Sequence, residues 1–174
     1  MRIGNERWQG WRTRQVVASL DMFLITTIGR SIIGLIAALM LGFVGYLFWT
    51  VSFPPLAGLG FQTFTVINTM AAVVTFATAV AWFKFQAAWK TRFVALALIG
   101  VGAFVGGWIG YDYGFDKGVE ALIEEYGHIP GGQLRLPTAD GIRWSLGGAA
   151  VFANVMALWY HVWRLVKYND PGDY

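Results

Sequence analysis

The sequence predicts an all-α integral membrane protein with four transmembrane helices. Of its 174 residues, 56% are hydrophobic and only 13% are charged, and the mean hydropathy is +0.52. A soluble domain of this length has no core large enough to bury so much apolar surface. The chain also contains four apolar runs without any Asp, Glu, Lys or Arg. A run of about 20 such residues matches the thickness of a bilayer, which is therefore the expected solvent.

The amino-terminal residues 1–30 are predicted to form a cytoplasmic interfacial arm. Segment 14–29 is too short to cross the bilayer, and it carries Asp21, whose burial at membrane depth is energetically unfavourable. Its apolar residues recur at helical spacing after a stretch rich in arginine and tryptophan, including Trp8 and Arg12. This pattern favours an amphipathic helix in the headgroup layer over a fifth span.

The transmembrane domain is predicted to cover residues 31–163, with spans at about 31–53, 63–83, 93–111 and 145–163. Tryptophans lie near most of the predicted span ends, where the amphipathic indole prefers the membrane interface. The last two spans are separated by a predicted outer loop, 112–143.

Within the outer loop, the sequence predicts a short extracytoplasmic amphipathic helix from Asp116 to Tyr126, because apolar residues there follow the i, i+3, i+4, i+7 spacing. Gly127 and Pro130 are expected to end it. Residues 128–141 are expected to be irregular.

The distribution of basic residues predicts the orientation. They concentrate in the arm, in the loop 84–92 and in the tail 164–174, whereas acids outnumber bases in 112–143. Under the positive-inside rule, both termini are cytoplasmic, most simply in a prokaryotic inner membrane.

Small residues at four-residue spacing predict close helix packing. Glycines in this register remove side chains along one flank of a helix, so that another backbone can approach. Comparable small faces occur on the first and fourth spans. The predicted packing residues are Gly102, Gly106, Gly110, Gly114 and Gly118, with Gly34, Ala38 and Gly42, and Ala149, Ala153 and Ala157. The pattern does not distinguish packing within the chain from packing against a neighbouring subunit, lipid or pigment.

Asn68 and Asn154 are the strongest polar groups inside the predicted spans. A side-chain amide in the membrane seeks a partner across a helix interface, so both are predicted to form interhelical hydrogen bonds.

His161 is the candidate cofactor-binding residue. Ala157 precedes it by one helical turn, and a small residue beside an imidazole is a pattern found where a helix binds haem or chlorophyll. Its position near the end of the fourth span favours an interfacial, hydrogen-bonded histidine instead.

The function expected from the sequence is that of a non-catalytic accessory subunit of a larger membrane complex, which packs against partner helices through its Gly and Ala faces. No catalytic residues or metal site are predicted, since the chain lacks cysteine and no titratable pair is brought together within the spans. Other integral membrane subunits and membrane lipids are the expected partners, and nucleic acid is not expected. The sequence does not identify a cofactor; bound lipid is favoured, with pigment or haem as alternatives. The alternatives are a small channel or transporter component, and a pigment- or haem-binding subunit that uses His161.

Overall fold

The computed structural model describes residues 4–52, 59–82, 89–128 and 135–168, and the side chains of 24–48, 63–82, 92–128, 137–164 and 166–167. The described chain forms four α-helices in sequence. They are α1 (Gly4–Ser52), α2 (Leu59–Trp82), α3 (Trp89–Tyr126) and α4 (Arg135–Tyr168).

Each helix contains a segment long and apolar enough to cross a membrane. These segments are Leu24–Phe48, Thr63–Trp82, Arg92–Tyr126 and Pro137–Arg164. The prediction of an all-helical protein with four candidate spans is thus confirmed, and the chain is an integral membrane protein.

The first helix is longer than the sequence indicated. α1 continues without a break from Gly4 to Ser52, so the arm and the first span form one helix. No proline interrupts this stretch, so the helical hydrogen bonds can continue. The side chains of residues 1–23 lie outside the described set, and the position of the arm in the headgroup layer stays a prediction.

The predicted outer loop 112–143 is largely helical. The short helix expected at 116–126 is the distal part of α3, and α4 begins at Arg135, inside the stretch 128–141 expected to be irregular. Pro137 marked this stretch as irregular, but it occupies the first turn of α4, where a missing N–H breaks no helical hydrogen bond.

The stop predicted at Gly127 for the short helix coincides with the end of α3. Gly127 has a positive φ of 72°, and its N–H donates to the carbonyl oxygen of Ile123 at 2.8 Å. This is a left-handed helix cap, a conformation that glycine adopts without steric penalty.

The helices have unequal lengths, so two of them run past the ends of α2. A Cβ built at Gly34 would lie 3.1 Å from the Trp82 indole nitrogen, so the last residue of α2 is level with Gly34, and some 30 residues of α1 precede that level. At the opposite end, Gly107 contacts Ile67, which places the start of α2 level with about residue 115 of α3. The rest of α3 and the start of α4 extend further as a helical hairpin.

The core is built from small side chains. A continuous buried cluster includes Ala38, Ala103, Ala149, Ala153 and Ala157, together with larger residues such as Trp82 and Ile99. Most large apolar side chains of α1 instead point outward, which is the arrangement expected when lipid covers the bundle.

Candidate functional site

The glycine stripe of α3 packs against α4 of the same chain. A Cβ built at Gly106 would lie 2.4 Å from the carbonyl oxygen of Gly148, and one built at Gly110 would lie 2.3 Å from that of Trp144. Real Cβ atoms do not approach a carbonyl so closely, so any larger residue at either position would push the helices apart. Gly148 is equally restricted, because its own Cβ would lie 2.1 Å from the carbonyl oxygen of Gly106.

The other three glycines follow the same pattern along the helix pair. A Cβ at Gly102 would lie 2.8 Å from the Phe152 carbonyl oxygen, and one at Gly118 would lie 2.7 Å from Pro137 Cα. Gly114 lies between them, against Trp144 and Asp140. We call the contact formed by these five glycines and α4 the glycine seam. It runs through the membrane domain and into the hairpin beyond α2.

The small faces of α1 and α4 are also occupied within the chain. A Cβ at Gly42 would lie 2.3 Å from a methyl group of Leu146 on α4 and 3.2 Å from Val74 on α2. Ala38 is completely buried, as are Ala153 and Ala157. The small residues identified in the sequence are therefore interior contacts of one bundle.

A polar junction, formed by Gly34, Trp82, Asn154 and His161, joins α1, α2 and α4. The Trp82 indole N–H donates to Oδ1 of Asn154 at 3.0 Å, and the Asn154 amide nitrogen donates to the Ala150 carbonyl oxygen at 2.9 Å. A Cβ at Gly34 would lie 2.5 Å from the Asn154 oxygen, so a glycine is required for α1 to cover this bond.

His161 belongs to the same junction. Its ring lies 5.8 Å from the Trp82 ring, at an interplanar angle of 58°, and the residue is only 3% exposed. The imidazole is therefore packed against α2, and cofactor binding by His161 stays a prediction. The sequence pattern of His161 and Ala157 gave no sign of this contact, because it depends on a tryptophan 79 positions earlier.

Asn68 differs from Asn154. Its Oδ1 is buried but has no hydrogen-bond partner among the described residues. The interhelical bond that the sequence predicted for both asparagines is therefore present at Asn154 and is not seen at Asn68. The neighbouring hydroxyl groups of Thr69 and Thr75 bond to carbonyl oxygens of their own helix, at Thr65 and Ala71.

The acidic side chains of the hairpin do not converge. Asp112, Asp116, Glu120 and Glu124 are exposed, and the described residues contain no group of three His, Asp or Glu side chains that could hold a metal ion. Two local ion pairs, Lys117 with Glu120 and Arg143 with Asp140, join neighbouring turns of single helices. Such exposed pairs contribute little to stability.

The described side chains therefore form packing contacts, one buried polar junction and an unpaired asparagine, with no assembled nucleophile, base or metal site among them. Comparison with known proteins adds no family, since no family model, no curated protein and no solved structure matches the chain.

Proposed function

We propose that this protein is a non-catalytic accessory subunit of a larger membrane complex, located in a prokaryotic inner membrane with both termini in the cytoplasm. Its partners are other integral membrane subunits. It contacts them mainly through the helical segments that extend beyond α2, since the Gly and Ala faces are occupied inside the chain.

The observation that carries this proposal is the mismatch in helix length. α2 has 24 residues, or about 36 Å of helix, which is close to what a bilayer requires. α1 has 49 residues and α3 has 38, or about 73 Å and 57 Å. The excess length of α1 lies at one end of the bundle and that of α3 at the other.

The hairpin keeps apolar side chains on its outside. Ile123 is 46% exposed and Tyr126 is 48% exposed, and both lie more than one helical turn past the level at which α2 begins. In a segment that projects out of the bilayer, lipid does not cover such side chains. A protein partner at the membrane surface would bury them.

The hairpin is also stiff enough to act as a contact element. Gly118 holds α3 against α4 beyond the level at which α2 begins, and the cap at Gly127 ends α3. A preorganised element loses less conformational entropy on binding than a flexible loop does.

The test is purification of the chain from its native membrane in a mild detergent through a C-terminal tag, followed by native mass, subunit composition and absorption measurements. The proposal expects a stable complex with other integral membrane subunits in fixed ratio. A colourless homo-oligomer would contradict it and would direct attention to flux measurements in vesicles containing only this protein.

A pair of variants locates the contact. Replacing both Ile123 and Tyr126 with lysine should release the partner subunits while the isolated chain keeps its thermal unfolding temperature. The matched control is Glu124→Ala, an exposed change on the same turn of the helix. If the lysine variant purifies with the full complex, the hairpin is not the contact.

A further inference from the structure

A lateral groove lies between α2 and α3, separate from both the glycine seam and the polar junction. It has a volume of about 420 Å³ and is open to the outside of the bundle. It is lined by small residues, among them Ala72, Thr75 and Gly100, and by the aromatic side chains of Phe76 and Phe104. Because it opens sideways from two membrane-spanning segments, its occupant must enter from the hydrocarbon layer.

The groove exists because α2 and α3 pack more loosely than α3 and α4. A Cβ built at Gly100 would lie 3.7 Å from the Thr75 methyl group, which is an ordinary van der Waals distance. At Gly106, in the seam, the equivalent distance to α4 is 2.4 Å. Gly100 therefore leaves space where the seam glycines leave none.

Asn68 lies at one end of the groove, and its side-chain oxygen is the polar atom of interest there. It lines the groove, and its buried Oδ1 has no hydrogen-bond partner among the described residues. An unpaired amide in hydrocarbon is unfavourable. Rotation of the amide about its last bond exchanges oxygen and nitrogen, so Asn68 can offer either an acceptor or a donor to the groove. A hydroxyl group can pair with both.

The length of the groove limits the shape of the molecule that can bind in it. The groove extends from Asn68 to Phe76, eight residues or about 12 Å along α2. One hydrocarbon chain is thin enough to lie along a groove of this length. Asn68 lies nine residues after Leu59, the first residue of α2, or about 13 Å along the helix.

We propose that this groove binds a single-chain neutral lipid with a free hydroxyl group, which pairs with the Asn68 amide while the chain lies over Gly100 between Phe76 and Phe104. The hydroxyl lies at the Asn68 end of the groove, and the chain runs along α2 toward Phe76. This binding site is independent of the accessory role proposed above.

The test uses the full chain, purified and placed in phosphatidylcholine vesicles, with a diazirine derivative of hexadecanol as the probe. After irradiation, mass spectrometry maps the labelled residues. The proposal expects labelling concentrated on the groove residues of α2 and α3. Unlabelled hexadecanol should compete about fivefold better than its methyl ether, which cannot donate a hydrogen bond. Uniform labelling of the lipid-facing surface, or equal competition by the alcohol and the ether, would overturn the proposal.

Two variants separate the groove from the hydroxyl contact. Gly100→Leu fills the groove and should reduce labelling there to the level of other lipid-facing residues. Its control is Gly147→Leu, since a Cβ at Gly147 meets no atom within 4 Å. Asn68→Leu should keep the labelling but remove the preference for the alcohol over the ether. Thermal unfolding confirms that each variant is folded. Unchanged labelling in folded Gly100→Leu, or unchanged preference in folded Asn68→Leu, contradicts the assignment.

Discussion

The indole nitrogen of Trp82 donates a hydrogen bond to the side-chain oxygen of Asn154, 72 residues later in the chain, at 3.0 Å. The bond joins the end of α2 to the middle of α4, and α1 covers it at Gly34. Three of the four helices therefore meet at one buried polar contact.

This bond should appear as coupling in a double-mutant cycle. Trp82→Phe and Asn154→Ala, made singly and together, should show a coupling free energy of about 0.6–1.7 kcal/mol, from the average to the largest value found for interhelical hydrogen bonds in membranes. The measurement is unfolding by SDS titration from a mild detergent.

A second cycle serves as the control. Trp108 is also a tryptophan in a span, but its indole nitrogen has no partner among the described residues. Trp108→Phe combined with Asn154→Ala should give additive losses. Additivity in the first cycle as well would mean that the Trp82 contact contributes no hydrogen-bond energy.

The glycine seam should not tolerate one additional methyl group. Gly106→Ala places a Cβ against the Gly148 carbonyl oxygen, so we expect a loss of about 1–3 kcal/mol from forced separation of the helices. Gly147→Ala, where a Cβ meets nothing within 4 Å, should leave stability unchanged or slightly raised. Equal unfolding free energies for the two variants would show that α3 and α4 are not in this contact.

The hydroxyl group of Thr78 should be dispensable. Thr78 is completely buried, and its oxygen has no partner among the described residues. Thr78→Val keeps the shape and removes an unpaired polar atom, so the free energy of unfolding should rise or stay the same. Thr75→Val is the comparison, since the Thr75 hydroxyl donates to Ala71 at 2.7 Å. If Thr78→Val lowered the free energy of unfolding more than Thr75→Val does, the Thr78 hydroxyl group would have a hydrogen-bond partner.

His161 should act in packing rather than in cofactor binding. His161→Ala removes the contact with the Trp82 ring and leaves a cavity, so it should lower the free energy of unfolding by about 1–3 kcal/mol and change the tryptophan fluorescence. Visible absorption should be the same before and after the change. An absorption band that is lost in His161→Ala would instead identify a haem or pigment ligand.

The proposed topology can be tested because the natural sequence contains no cysteine. Glu124→Cys in the hairpin should react with a membrane-impermeant maleimide applied to intact spheroplasts, since both the position and its surroundings are exposed. Lys167→Cys, near the end of α4, should react only after permeabilisation. Reaction of both from the same side would rule out an odd number of crossings between them.

The sequence predicted the parts of the fold that depend on local composition. Apolar runs required a bilayer, and the order Tyr126–Gly127 placed the end of α3 correctly. The start of α4 was missed because Pro137 and Gly141 resemble loop residues until their neighbours are known. Gly141 lies where a Cβ would be 2.8 Å from the Tyr111 ring, a helix contact that no local pattern reveals.

The candidate sites were less predictable because they depend on contacts between helices, which local sequence patterns do not reveal. The glycine spacing identified a close-packed helix face, but its partner depends on how α3 and α4 turn toward each other. The difference between Asn154 and Asn68 is invisible in the sequence, since each is an amide in an apolar helix. Only the position of Trp82 gives Asn154 a partner on another helix.

The repeat that makes the seam tight also leaves its alignment undetermined. If α3 slid by four residues, about 6 Å, along α4, four of the five seam glycines would arrive where another glycine had been. Several alignments of α3 along α4 therefore give similar glycine contacts, and a contact that does not repeat must select one of them. Tyr111 against Gly141 and the eight-residue link 127–134 provide such reference points. Changing the length of that link would therefore select among discrete alignments of the two helices.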